Sequence, residues 1–145
     1  MIIVKHLLQQ KGYAVYSVTS DTKVFDALSI LVEKNIGSLA IIDNDKLSGI
    51  FSERDYARKV VLQGKSSRET AIADIMTPKV ITVTEGDTIN TCMELMSSKK
   101  IRHLIVVDDQ NDQKVIGVLS ISDIVQAIIA QQQQTIDHLN QYIQS

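Results

Sequence analysis

The chain contains two copies of a G-x-x-S-x-x-D motif, the phrases Gly49–Asp55 and Gly117–Asp123. They combine residue types that could bind a nucleoside phosphate. Each has a serine three residues after the glycine and an aspartate three residues later, at a predicted strand-to-helix junction. Free amides at a helix start attract phosphate, an acidic side chain can accept both hydroxyls of a ribose, and a glycine lets a ligand approach the backbone. The same spacing also matches a capping box, in which both side chains satisfy only the helix's own amides. The phrases therefore predict either ligand anchors or plain helix caps.

A second candidate group, Arg102 and His103, precedes the central apolar run of the second half of the chain. An arginine at this position could pair with phosphate oxygens through two parallel hydrogen bonds. The alternative is that Arg102 is a solvated surface charge and that His103 packs on its neighbour. The first half has Gly37 and Ser38 at the matching positions, and Arg54 inside its serine–aspartate phrase could supply the missing charge. Two sites built in this way are expected to be unequal.

These groups lie in two copies of one sequence unit. Val18-Thr19 recurs as Val83-Thr84, and the run Leu39–Asp43 recurs as Leu104–Asp108. Each copy then ends on one of the two glycine–serine–aspartate phrases. A duplicated unit predicts two similar halves that meet at a seam, and seams of this kind are common places for ligands.

Each copy shows the same order of periodicities. The pairs Asp21-Thr22 and Asp87-Thr88 are typical of helix starts, and the apolar residues after them recur at helical spacing. The runs Ser38–Ile42 and His103–Val107 lack polar alternation, which favours strands covered on both faces. A second strand around each phrase glycine should pair antiparallel with its predecessor, and a second helix follows. With a short opening strand, the predicted unit is β-α-β-β-α, and the fold class is α/β.

The units also predict domain boundaries. Ile3–Leu8 is interpreted as the lead-in of the first copy, and a short helix is expected near Ala71–Met76. The tail is either a frayed solvated helix or a contact helix in a dimer, since Ile136, Leu139 and Ile143 recur near helical spacing. The predicted domains are residues 1–65 as the first repeat, 66–80 as linker and lead-in of the second repeat, 81–130 as the second repeat, and 131–145 as a C-terminal helix or tail.

Composition and charge exclude several classes of protein. With 15 Lys and Arg against 17 Asp and Glu, the formal net charge is -2, so no overall field draws the chain to nucleic acid or to an anionic membrane. No apolar run approaches the roughly 20 residues that span a bilayer. The single cysteine, Cys92, rules out an internal disulfide and fits a reducing compartment, so a cytoplasmic location is expected.

The sequence does not predict an enzyme. The three histidines, His6, His103 and His138, lie in unrelated segments, and no metal-ligand spacing occurs. No serine or cysteine has a base nearby in the pattern. No catalytic residue, metal or cofactor is therefore expected.

The doubled unit, the lead-in Asp74–Thr77, the apolar strand that ends in aspartate and the G-x-x-S-x-x-D phrase together resemble a tandem pair of CBS domains, the regulatory Bateman module. The resemblance extends over about Ile3–Ile129, and the stretch from Ser52–Lys59 through Gly64–Ser67 is most similar to the stand-alone two-CBS proteins of bacteria and plant organelles. The second copy is similar to the last repeat of the AMP-activated kinase gamma subunit. The implied fold is α/β, with two pseudo-symmetric β-α-β-β-α CBS repeats packed through their sheets. The family's frequent proline in the central strand is replaced here by Ala40 and Ile105.

This resemblance implies a non-catalytic sensor of an adenosine nucleotide. AMP is the first choice, with ATP, ADP, S-adenosylmethionine or NAD after it, and the nucleotide is a regulatory ligand rather than a cofactor. In the family, the serine and aspartate of each phrase bind phosphate and ribose, residues near the opening strand hold adenine, and basic residues before the central strand reach the phosphate. The residues implied for nucleotide binding are Val15, Tyr16, Ser38, Ser52, Arg54, Asp55, Thr77, Val80, Ile81, Arg102, His103, Ser120 and Asp123.

The expected partners are an adenosine nucleotide, a second copy of the chain in a homodimer, and a regulated protein that the sequence does not identify. Nucleic acid and membrane are not expected as partners. The alternative function is a structural dimerisation or protein-interaction module without a nucleotide ligand, in which the C-terminal helix makes the contacts. Such a module would dimerise without responding to nucleotide.

Overall fold

The computed structural model describes residues 1–144, and Ser145, the last residue of the predicted tail, lies outside the described residues. The chain forms two three-stranded sheets of the same order. In each sheet the short first strand runs parallel to the central strand, which pairs antiparallel with the third. The predicted α/β class and strand pairing are confirmed. The strands are β1 (Ser17–Val18), β2 (Ser38–Asp43) and β3 (Lys46–Ser52) in the first sheet, and β4 (Thr82–Val83), β5 (His103–Asp108) and β6 (Asn111–Ser120) in the second.

Helices cover the outer face of each sheet. The short helix expected near Ala71–Met76 is a 3-10 turn over Ile72–Asp74. The C-terminal segment is a continuous extension of the last helix of the second repeat. The α-helices are α1 (Val4–Lys11), α2 (Val24–Lys34), α3 (Glu53–Asp55, continuing as a π-helix over Tyr56–Val61), α4 (Ile89–Lys99) and α5 (Ile121–Gln144).

The predicted helix starts are right in one copy and wrong in the other. Thr88 caps α4, and its Oγ1 accepts a hydrogen bond from the amide of Thr91 at 3.1 Å. In the first copy, Lys23 occupies the cap position of α2 and its side chain makes no capping bond. The amide of Val24 instead donates to the carbonyl of Thr70 at 2.9 Å. The carbonyl of Thr70 thus satisfies a first-turn amide that a capping side chain was expected to satisfy.

The protein has three apolar layers, and one of them joins the two sheets. One core lies between the first sheet and its helices, and a second lies between the second sheet and its helices. Between the sheets, fully buried Ala40, Ile105 and Val107 form a third layer. Because successive side chains of a strand point to opposite faces, the central strands contribute to an outer core and to this seam at once. The prediction of strands covered on both faces, and of repeats packed through their sheets, is confirmed.

The N-terminal helix α1 packs on the second repeat rather than on the first. Val4, Leu7 and Leu8 are buried in the second core, and the amide of Val4 donates to the carbonyl of Asp87 at 2.8 Å. The sequence interpretation of this segment as lead-in of the first copy does not match these contacts. The reciprocal exchange occurs in the middle of the chain, where Ile72 is buried in the first core. Each repeat is therefore completed by the segment that precedes the other repeat in the chain.

The C-terminal helix α5 leaves the body of the protein after its first two turns. Ile124 is fully buried in the second core, whereas every residue from 129 to 144 is exposed. None of the helices within residues 1–144 has the length and apolar character needed to cross a membrane.

Candidate ligand-binding site

The ends of α2 and α4 place Ser38 and the pair Arg102 and His103 at the start of the central strands. Asn35 (φ 54°) and Lys100 (φ 55°) adopt the left-handed conformation that commonly ends a helix. The chain then turns directly into β2 and β5, so that Ser38 and His103 are the first residues of these strands. Each first residue pairs with the serine of its phrase, Ser52 or Ser120. Strand pairing thus brings the two candidate groups of each copy together.

In the first repeat, the aspartate of the phrase is fully engaged by the protein itself. Asp55 is only 8% exposed. Its Oδ2 accepts hydrogen bonds from the amide and hydroxyl of Ser52 at 2.9 and 3.1 Å. Its Oδ1 accepts from Thr77 Oγ1 at 3.1 Å and pairs with Lys59 Nζ at 3.1 Å. The first phrase is therefore a capping box extended by two structural contacts.

In the second repeat, the same capping box leaves one carboxylate oxygen available. Asp123 Oδ2 accepts from the amide and hydroxyl of Ser120 at 2.8 and 3.0 Å. It also pairs with Lys11 Nζ at 2.7 Å, and the same ammonium donates to the carbonyl of Val118 at 2.6 Å. Oδ1 of Asp123 accepts no hydrogen bond from residues 1–144. The capping interpretation is thus right for both phrases, yet only Asp123 keeps an acceptor for a further partner.

A cleft of about 600 Å³ opens beside Asp123. Both repeats line it, so it lies at the seam that the duplicated sequence predicts. Six of the residues implied for nucleotide binding line this cleft: Tyr16, Ser38, Arg102, His103, Ser120 and Asp123. The cleft residues are Lys11, Gly12, Ala14, Tyr16, Asn35, Ile36, Gly37, Ser38, Arg102, His103, Val118, Ser120, Ile121, Ser122 and Asp123.

The charge in the cleft is mixed but leans positive. Burial acts to raise the pKa of Asp123, but hydrogen bonds from Lys11 and from the Ser120 amide lower it overall, so the carboxylate is ionised at neutral pH. Burial is the main cause that lowers the pKa of His103, and the charge of Lys11 lowers it further. The imidazole is consequently uncharged at neutral pH. Lys11 and Arg102 are the two cationic residues that line the cleft, and Asp123 supplies its one carboxylate.

The other implied residues do not line this cleft. Ser52, Asp55 and Thr77 belong to the hydrogen-bonded cluster of the first repeat described above. Arg54 crosses the seam and its guanidinium donates to the carbonyl of Lys100 at 2.7 Å. The remaining three are apolar: Val15 and Val80 pack in the seam layer, and Ile81 packs against the second core.

The phrase glycines make room for protein rather than for a ligand. A Cβ on Gly49 would lie 2.8 Å from the sulfur of Met76, and a Cβ on Gly117 would lie 2.7 Å from a methyl group of Leu8. A side chain at either position would force these neighbouring atoms to shift. The expectation that these glycines open the backbone to a ligand is therefore wrong, because the exchanged segments approach there instead.

Lys11 is the charged cleft residue that the sequence pattern does not single out. It lies 112 residues before Asp123, and this distance along the sequence hides the pairing. The one local signal is that it precedes Gly12, whose positive φ of 107° ends α1 and turns the chain toward the cleft.

Fold and site together define a pair of pseudo-symmetric repeats with a cleft at their seam. The family model named CBS domain matches residues 11–62 and 72–130. The chain belongs to the CBS-domain family, and the tandem pair inferred from the sequence is confirmed.

Solved structures of CBS pairs resemble this chain over nearly all of their own length. A CBS-domain protein of Burkholderia ambifaria is 43% identical with a TM-score of 0.83, over 88% of this chain and 94% of that one. The CBS domain pair of protein MJ0100 is 30% identical with a TM-score of 0.80, over 90% of this chain and 98% of that one. The MJ0100 crystal contains 5′-methylthioadenosine and S-adenosyl-L-methionine.

Among curated relatives, the mitochondrial CBS domain-containing protein CBSX3 of Arabidopsis thaliana is 39% identical over 131 residues. The alignment spans 87% of this chain and 62% of that protein, and a Methanopyrus kandleri relative is covered over only 47% of its length. The chain therefore spans about half to two thirds of these relatives. Since the plant relative is mitochondrial by name, the cytoplasmic location stays a prediction.

Proposed function

We propose that this chain is a non-catalytic regulatory module that binds an adenosine nucleotide, AMP before the other candidates, in the seam cleft and signals to a partner protein. The observation that carries the proposal is the cleft itself, in which Asp123, Ser120 and Arg102 of one repeat face Tyr16 and residues 35–38 of the other. A carboxylate oxygen without a protein partner suits ribose hydroxyls, and an arginine beside a helix start suits a phosphate.

Regulation follows from the position of the cleft between the two halves. A ligand that contacts both repeats stabilises the arrangement in which both sets of contacts are made. Differential binding worth roughly 1 to 3 kcal/mol changes the affinity for a partner about 5- to 150-fold. The cleft therefore needs no chemical step to transmit a signal.

Isothermal titration of the purified chain with AMP and ATP tests the proposal directly. We expect saturable heat for AMP with about one site per chain, since only the second phrase opens to the cleft. Mass spectrometry of the denatured protein would also detect nucleotide carried through purification. The absence of heat and of any thermal shift at millimolar ligand would contradict the proposal and favour the interaction module without nucleotide.

We also propose that the chain is a homodimer through the exposed part of α5. Side chains there recur at alternating steps of four and three, the heptad spacing of a two-stranded coiled coil. Most helical stability in proteins comes from packing of an amphipathic face, and this part of α5 has no such packing within residues 1–144. The positions are Val125, Ile129, Gln132, Ile136, Leu139 and Ile143, and the apolar ones are 40 to 78% exposed.

These heptad positions form a stripe along α5, and a second copy of the chain fits this stripe better than a charged partner does. Residues 124–136 carry no Lys, Arg, Asp or Glu, so two copies meet without repulsion and a charged helix would find no counter-charge. In a parallel pair Gln132 faces its equivalent, and each amide can both donate and accept. An antiparallel pair centred on the stripe would set Gln132 against Ile136 and leave its amide unpaired.

The variant Leu139→Lys is expected to weaken the dimer at least about tenfold, because two ammonium groups would meet in the apolar seam. Gln134→Lys, on the opposite face of the same helix, is the matched control and should stay dimeric. Sedimentation velocity over a range of protein concentrations measures both. A dimer that is unaffected by Leu139→Lys would place the interface elsewhere on the molecule.

A further inference from the structure

We infer that Lys11 makes the seam cleft selective for adenosine ligands with an anionic 5′ group, a phosphate, over ligands whose 5′ group is neutral or cationic. This inference rests on the proposed function and names the residue that chooses among its candidate ligands. It concerns a side chain that α1 delivers to the cleft from the N-terminal end of the chain.

Lys11 has one hydrogen-bond donor left for a ligand. An ammonium group has three N–H donors. Two of them are used, one by the Val118 carbonyl at 2.6 Å and one by Asp123 Oδ2 at 2.7 Å. Both acceptors line the cleft, as does Lys11 itself. The third donor is therefore available to a ligand while the other two hold the ammonium in place.

The charges that a ligand meets in the cleft favour an anionic group. Lys11 cancels the carboxylate of Asp123 at contact distance, so that carboxylate offers little attraction to a cationic ligand. Arg102 then adds a positive charge to the same cleft. A phosphate gains from both cations and from the start of α5, whereas a sulfonium group is repelled by them.

The contacts of Lys11 hold its side chain in place. Its side chain is 37% exposed, and the Asp123 side chain that it contacts is 20% exposed. The residue follows Leu8 by less than one helical turn, and Leu8 is fully buried in the second core. A placed ammonium binds an anion with less loss of side-chain entropy than a freely moving surface lysine.

The experiment compares Lys11→Met with the native chain by isothermal titration against AMP, adenosine, 5′-methylthioadenosine and S-adenosylmethionine. Methionine keeps an unbranched apolar stem and removes the charge. We expect Lys11→Met to weaken AMP about 10- to 100-fold, the usual worth of a hydrogen bond to a charged group. Adenosine should change less than about threefold, so the preference for AMP over adenosine collapses, and Lys11→Arg should restore most of it.

Lys5→Met is the matched control, because Lys5 lies on the same helix and outside the cleft. It should leave all four affinities unchanged. If Lys11→Met weakened AMP and adenosine equally, Lys11 would only support Asp123 and the inference would be overturned. Unchanged AMP affinity would overturn it too. A native chain that binds none of the four compounds would overturn the proposed function itself, which is a distinct result.

Discussion

The variant Asp123→Ala is expected to bind AMP about 10- to 100-fold more weakly than the native chain, because it removes the carboxylate that would accept the ribose hydroxyls. Its effect on stability should be smaller, about 1 kcal/mol, since the lost interactions are a helix cap and a partly exposed ion pair. Titration calorimetry with AMP measures the first effect, and urea denaturation measures the second.

The matched variant in the first repeat should show the opposite pattern. Asp55→Ala removes the partner of Ser52, Thr77 and Lys59 in a nearly closed cluster. We expect it to lower the free energy of unfolding by about 1 to 3 kcal/mol and to leave AMP affinity unchanged. Equal losses of AMP affinity in the two variants would mean that the first phrase also binds ligand. Full affinity in Asp123→Ala would leave only the capping role.

A second large effect is expected at the exchanged helix. Leu8→Ala should lower the free energy of unfolding by about 2 to 5 kcal/mol, because it leaves a cavity in the second core where Leu8 is fully buried. Leu62→Ala is the control, since Leu62 is 77% exposed and should change stability by less than about 0.5 kcal/mol. Urea denaturation at constant pH compares them. Equal effects would show that α1 does not pack on the second repeat in solution.

The close approach of Gly117 to Leu8 adds a test of the same packing. Gly117→Ala would bring a Cβ within 2.7 Å of a Leu8 methyl group, and we expect a cost of about 1 to 3 kcal/mol from overpacking. When Leu8 is also alanine, that clash is gone. The double variant should therefore lose less stability than the sum of the single variants, by about 0.5 kcal/mol or more.

The candidate site could be predicted from the sequence in part. Ser120, Asp123, Arg102 and His103 meet in one cleft, as the strand-to-helix junctions of the second copy indicate. Asp55 has the same spacing from its serine and glycine, but its second oxygen is taken by side chains from outside the phrase. Local spacing predicts the capping geometry of both aspartates. It does not predict which carboxylate keeps a free oxygen, because that depends on neighbours contributed by other segments.

The sequence by itself determined the duplicated unit, the order of its strands and helices, and the burial of the central strands, since these follow from periodicities of two and about 3.6 residues. Only the tertiary structure decided that α1 completes the second repeat and carries Lys11 to Asp123. The physical reason is that an amphipathic helix has one apolar stripe that could cover either sheet. Which sheet it covers is settled by packing between residues far apart in the chain, and this packing also delivers the ammonium group of Lys11 to the cleft.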